Sequence, residues 1–184
     1  MSHVMLNRSY APPLPTPLTD DAWMRINHEL DCHLEAREAD WQHSFIASDG
    51  CRSLCDFEVA YAEAIRAACR VARMPFERVW RFEIWSGQYP DALLTCQSPI
   101  VAEFTYATPI TPADYAQAKQ QAGPCLSEAE VRSLATLMAS DGRRSICLFE
   151  AASAEAVRLA FRKAQIPFQR VWRSHLLMPS ASAV

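Results

Sequence analysis

One hairpin of this chain gathers the side chains best suited to acid–base or metal chemistry. Trp41-Gln-His-Ser-Phe-Ile-Ala47 has the aromatic and apolar content of a strand, Ser48-Asp49-Gly50 stops it, and Arg52-Ser-Leu-Cys-Asp-Phe-Glu58 returns. Asp-Gly between apolar runs favours a tight turn, because Gly and Asp tolerate the positive φ that the turn demands. A two-residue turn pairs residues whose numbers sum to 99, so His43 faces Asp56, Ser44 faces Cys55 and Trp41 faces Glu58. Alternation puts Trp41, His43, Phe45, Asp56 and Glu58 on one face and Ser44 and Cys55 on the other, which separates His43 from the thiol. His43 with Asp56 and Glu58 then offers two chemistries: a general base oriented by a carboxylate, or one nitrogen and two oxygens for a divalent metal. A satisfied His-Asp pair without catalytic use is the plain alternative.

Two further groups carry weaker signals. His28 and Cys32 stand four residues apart on the first helix with Glu29 and His33 beside them, a spacing that suits two metal ligands. The surrounding segment, Asn27 to Glu38, is polar almost throughout and reads better as a solvated face. Arg78, Trp80 and Arg81 recur as Arg170, Trp172 and Arg173. An arginine beside an indole can hold an acidic or aromatic ligand. Recurrence favours a framework role instead, with Glu58 and Glu150 as the natural partners of these arginines. Trp41, Phe45, Trp80 and Trp85, rimmed by Arg78 and Arg81, are the expected walls of a ligand pocket.

The elements that position these residues come from a duplication. An offset of 92 carries Asp49 to Asp141, Cys55 to Cys147, Glu58 to Glu150 and Trp80 to Trp172, and 23 of the 35 positions from Ala47 to Arg81 are identical in the second copy. Upstream, Tyr10 matches Tyr106 at an offset of 96, so the first copy carries four extra residues in its Pro-rich connection. Each copy reads strand, helix, strand, strand, helix, strand. Trp23, Ile26, Leu30 and Leu34 form the inward stripe of the first helix, and Thr111-Pro112-Ala113-Asp114 begins its counterpart with a capping residue and a first-turn proline. This is the ferredoxin-like order, a four-stranded sheet with helices on one side. The bare face of each sheet needs cover. The expected fold is therefore α+β: repeats at 1–88 and 100–184, joined by a linker at 89–99 and packed sheet to sheet as an intrachain dimeric α+β barrel, either a monomer with a pseudo-dimeric core or a homodimer.

The motifs Trp41-Gln-His-Ser-Phe-Ile-Ala-Ser-Asp-Gly50, Cys55-Asp-Phe-Glu58 and Met74-Pro75-Phe76-Glu77-Arg78-Val79 resemble those of the domain of unknown function 4242 family. The resemblance implies a ferredoxin-like fold and, for some members, nickel binding. It matches the family's His-Ser pair and following Cys to His43, Ser44 and Cys55. The second copy departs from that pattern, with Ala135 and Thr136 in place of His43 and Ser44.

Composition narrows the function. A net charge of −3 with mixed signs gives no footprint for nucleic acid or an acidic membrane. There is no apolar run long enough to span a bilayer and no secretory signal pattern. Seven cysteines without a CxxC pair fit reduced thiols in the cytoplasm. No phosphate loop, HExxH or GxSxG is present. What remains is a binding protein for a small molecule or a transition metal such as nickel. The alternatives are a cofactor-free enzyme using His43 on an apolar aromatic or polyketide-like substrate, and a purely structural partner protein.

Overall fold

The computed structural model describes residues 1–96 and 98–179. It contains β1 (Ser2–Ser9), α1 (Asp20–Glu35), β2 (Asp40–Ala47), β3 (Arg52–Val59), α2 (Ala62–Val71), β4 (Arg78–Gly87), β5 (Ile100–Thr105), α3 (Pro112–Glu128), β6 (Arg132–Ala139), β7 (Arg144–Glu150), α4 (Ala154–Lys163) and β8 (Arg170–Leu177). A short 3-10 turn at Asp91–Leu93 lies in the connection between the copies. Among the described residues, no helix is long and apolar enough to cross a membrane.

Two compact units emerge. Unit 1 is Met1–Phe82 with the chain from His175 onward, and unit 2 is Glu83–Ser174, so each boundary falls inside a strand. Unit 1 orders its strands β4-β1-β3-β2-β8, and unit 2 orders them β8-β5-β7-β6-β4. That is the strand order of a closed antiparallel α+β barrel, the class the duplication implies.

Within each unit the repeat is kept at the level of single bonds. Thr19 caps α1 by accepting from the Ala22 amide, and Thr111 caps α3 in a full capping box with Asp114. The Leu14 amide donates to the Gly50 carbonyl, and the Ile110 amide to that of Gly142. Leu14 and Ile110 differ by 96, Thr19 and Thr111 by 92, so the four extra residues are Pro15 to Leu18. Leu18 uses the insertion to enter the unit 1 core. Arg66 bridges Glu63 and the Val79 carbonyl, as Arg158 bridges Glu155 and the Val171 carbonyl. These bonds fasten the second helix of each copy to its last strand.

The hairpin register follows the sum rule from Ile46 opposite Ser53 to His43 opposite Asp56. A bulge between Trp41 and His43 then breaks it, placing Trp41 opposite Phe57 and Asp40 opposite Glu58. An extra residue reverses the facing of everything beyond it. Trp41 therefore leaves the His43 face and packs against the helix-side core, which corrects the register expected for it. The same bulge recurs between Ser133 and Ala135.

Candidate functional site

The expected site residues divide into separate neighbourhoods. His43 is buried, only 1% exposed, opposite Asp56 and in edge contact with the Phe45 ring at 5.1 Å. Asp56 is fully buried and takes a second histidine: His3 Nδ1 lies 3.1 and 3.3 Å from its two carboxylate oxygens. His3 carries no signal in the sequence beyond its place on β1, which pairs with β3 and sets it opposite Glu58. Burial lowers the His43 pKa to about 4, opposed by the Asp56 charge and reinforced by His3. The His3 pKa is raised, chiefly by its hydrogen bond to Asp56. At neutral pH the His43 imidazole is therefore uncharged.

The other wall residues serve elsewhere. The Trp80 indole donates to Asn7 Oδ1 at 2.9 Å, as Trp172 donates to Glu103 Oε1 at 2.8 Å, so both repeated tryptophans are tied to the first strand of their copy. Arg78 is exposed, and Arg81 donates to the Ser2 hydroxyl. Glu150 pairs with Arg132 directly across the β6–β7 ladder rather than with Arg170 or Arg173. Trp85 packs edge-on against Tyr115 at 5.7 Å within unit 2. His28, Glu29 and Cys32 lie on the exposed face of α1, the solvated face their polar surroundings predict.

Two cavities lie on the helix sides of the sheets, one beneath the first helix of each copy, whereas the sequence sets its expected pocket against the bare sheet face. In unit 1 the cavity measures about 300 Å³ and is lined by Arg8, Trp23, Asn27, Leu30, Trp41, Ser44, Cys55 and Phe57 among others. In unit 2 it measures about 710 Å³ beneath α3. The residue correspondence explains the difference. Leu30 becomes Ala122, Trp41 becomes Ser133, Trp23 becomes Tyr115, and Leu18 has no counterpart. Helix α1 buries Trp23, Asn27, Leu30 and Leu34, whereas α3 buries Ala122 alone.

Around the larger cavity, Phe104, Leu126, Phe149, Phe161 and Ile166 supply apolar walls. Tyr115, Thr136 and Cys147 of its lining form a hydrogen-bonded line: the Tyr115 hydroxyl meets that of Ser86 at 2.6 Å and donates to Thr136 at 2.9 Å, and Thr136 donates to the Cys147 sulfur at 3.4 Å. Burial raises the Cys147 pKa to about 11 and that of Tyr106 to about 12, so both stay protonated at neutral pH. The result is a mostly apolar chamber with a few fixed hydroxyls, the makeup of a small-molecule site, and the exposed side chains of Asp114, Lys119, Glu130 and Arg132 complete its lining with two charges of each sign. Pro124 lies inside α3 and removes one helical amide from it, and Gly123 beside it has open space where a side chain would stand.

Residues 100–173 match the model of a family described as nickel responsive protein SCO4226-like. No curated protein is significantly similar in sequence. Similar solved structures include a candidate chlorite dismutase (9% identity, TM-score 0.49, 96% of this chain and 94% of that one). A heme-binding protein from Thermus thermophilus is 9% identical with a TM-score of 0.48, over 96% and 91% of the two chains. An anthrone oxidase-like protein is 12% identical with a TM-score of 0.46, over 97% and 92%. At such identities, what those proteins bind does not transfer.

Among the described residues no three His, Cys, Asp or Glu side chains converge as metal ligands. The segment that matches the nickel-responsive model, residues 100–173, contains no histidine, and its thiols are Cys125 and Cys147 alone. Nickel sites draw on imidazole or grouped thiolates. His43, Asp56 and Glu58 lie outside that segment.

Proposed function

We propose that this chain is a small-molecule-binding protein whose principal ligand is an apolar, largely uncharged compound held beneath α3 in unit 2. The observation that carries this is the cavity of about 710 Å³ under a helix with a single buried residue. A 17-residue helix over so little apolar contact lacks the packing that normally secures one, and a ligand would supply it. Hydroxyls of Tyr115 and Thr136 would orient a polar substituent, while the apolar walls and the neutral Cys147 thiol and Tyr106 phenol favour a ligand without net charge, the two cations and two anions of the lining being exposed.

Titration with the neutral fluorescent probe N-phenyl-1-naphthylamine tests the reading. Saturable binding is expected, weakened at least about tenfold in the double variant Ala122→Leu/Ser133→Leu, which sets two bulky side chains into the chamber. A double variant that binds the probe as well as the native chain would overturn the proposal. So would stoichiometric retention of nickel by the purified protein at neutral pH, which would return the metal reading to first place.

The second reading is a cofactor-free enzyme with His43 as acid–base group. The buried His43–Asp56 pair favours it. An imidazole with a pKa near 4 is a weak base at pH 7, which ranks this reading below the first. Its test is deuterium exchange from D₂O into the acidic C–H of 2-tetralone: a proton leaves to His43 and a deuteron returns. Exchange lost in His43→Gln with probe binding intact would promote it.

A further inference from the structure

We propose that the cavity beneath α1 in unit 1 is a second, chemically distinct site, which binds a small monocarboxylic acid through Arg8. Arg8 follows Val4 and Leu6 on the helix-side face of β1 and is only 5% exposed. Its Nη1 donates to Asn27 Oδ1 at 2.7 Å, and its guanidinium lies 5.0 Å from the centre of the Tyr10 ring. Asn27 is fixed for that bond because its own amide donates to the Trp23 carbonyl. The Arg8 Nε is buried with no hydrogen-bond partner, and among the described residues no ion pair includes Arg8.

A guanidinium taken out of water without a counter-charge is costly, and a fold does not carry one without use. The scaffold itself does not require it: unit 2 has Phe104 at the equivalent place, offset by 96, packed in its core. Arg8 also lines the cavity of about 300 Å³, whose apolar walls include Trp23, Trp41 and Phe57. A carboxylate reaching Arg8 would meet the missing charge in a forked geometry, and a ring or short alkyl body would lie against the indoles. Asp31, Glu35 and Asp40 also line this cavity, the last two exposed. They disfavour a second negative charge and welcome a neutral or cationic outer end.

Calorimetric titration of the full chain with phenylacetate and with its uncharged analogue phenylacetamide tests the site. Phenylacetate should bind saturably, and the amide at least about tenfold more weakly, the loss expected when a charge-assisted bond becomes a neutral one. Arg8→Met should abolish phenylacetate binding while leaving N-phenyl-1-naphthylamine binding in place. The Ala122→Leu/Ser133→Leu variant of unit 2 should bind phenylacetate as the native chain does. The proposal is overturned if the acid fails to bind, if acid and amide bind equally, or if the unit 2 variant rather than Arg8→Met removes the acid. The comparison of acid with amide on the native chain decides the matter even if Arg8→Met does not fold.

Discussion

The two copies agree where the second helix meets the last strand and disagree beneath the first helix. Arg66 and Arg158 make the same bonds, as do Trp80 and Trp172 to their first strands, and Gly50 and Gly142 receive the same loop amide. Beneath α1, by contrast, Trp23, Leu30, Trp41 and the inserted Leu18 fill space that Tyr115, Ala122 and Ser133 leave open beneath α3. One half of the duplicated frame holds the fold, and the other half was free to become two different chambers. Arg8 makes the smaller chamber cationic at its base, and Phe104 makes the larger one apolar. Copy-specific residues therefore set the two chambers apart, and repeated residues locate the frame.

The largest effect that can break this comparison is Leu30→Ala. Leu30 is 2% exposed in the unit 1 core, so truncation should cost about 2–5 kcal/mol, read as a lower urea midpoint. The converse change, Ala122→Leu, enters empty space and should cost nothing or stabilise. A Leu30→Ala cost under about 1 kcal/mol would mean that α1 is no better packed than α3.

Next comes the response to acid, which belongs to unit 1 because unit 2 has Ala135 where unit 1 has His43. His43 falls from 6.5 in the unfolded chain to about 4 when folded. Between those values the unfolded chain binds more protons, so stability should fall as pH drops from about 6.5 toward 4, by on the order of 3 kcal/mol over the full window. His3 acts in the opposite sense. Its raised pKa gives stabilisation that is complete below 6.5 and is lost as pH rises through the folded value. Urea midpoints against pH should lose the acid limb in His43→Leu and the alkaline limb in His3→Gln. An unchanged acid limb in His43→Leu would show that some other group titrates there.

The turn glycines should separate by less. Both have positive φ, +70° at Gly50 and +66° at Gly142, so alanine is strained at either. A methyl at Gly50 would lie 2.2 Å from the Leu14 carbonyl oxygen, against 3.2 Å from that of Ile110 at Gly142. Gly142→Ala should cost about 1 kcal/mol and Gly50→Ala perceptibly more, because backbone must move. Equal costs in thermal melts would mean that the loop over Gly50 gives way freely.

Much of this frame is legible in the residues, because the repeat, the Asp-Gly turns and the Thr111 cap are local signals. The register held from Ile46 to His43 for the same reason, and failed at Trp41 because nothing in the residue types marks the bulge at Gln42. The chambers were harder to read. Asn27 sits in a polar helix segment that reads as solvated, and no local pattern singles out Arg8 in its strand. The available signal was comparative: Arg8 shares the strand face of Val4 and Leu6, and Phe104 replaces it in the second copy. Shrinkage of Leu30 to Ala122 and of Trp41 to Ser133 likewise announces a cavity only once the two copies are laid together. His3 joins Asp56 through the pairing of β1 with β3, a contact between residues 53 positions apart that no local pattern contains.

The smallest expected effect sharpens the comparison most directly, because it swaps one copy's residue into the other. Asp40 stands opposite Glu58 at the start of the unit 1 hairpin, where unit 2 sets Arg132 opposite Glu150. Like charges directly across an antiparallel ladder repel, and opposite charges attract, each by a few tenths of a kcal/mol at an exposed position. Asp40→Arg should therefore raise stability by about 0.5 kcal/mol, less in high salt, while Arg132→Asp should lower it by a similar amount. The same residue lines the smaller chamber, so the swap also exchanges an anion for a cation within reach of the ligand's approach. Phenylacetate affinity should rise in Asp40→Arg, and most at low ionic strength, whereas phenylacetamide affinity should stay where it is. An acid and an amide that respond alike to this substitution would separate the chamber's charge from its ligand preference, and leave Arg8 a buried cation answered by Asn27 and Tyr10.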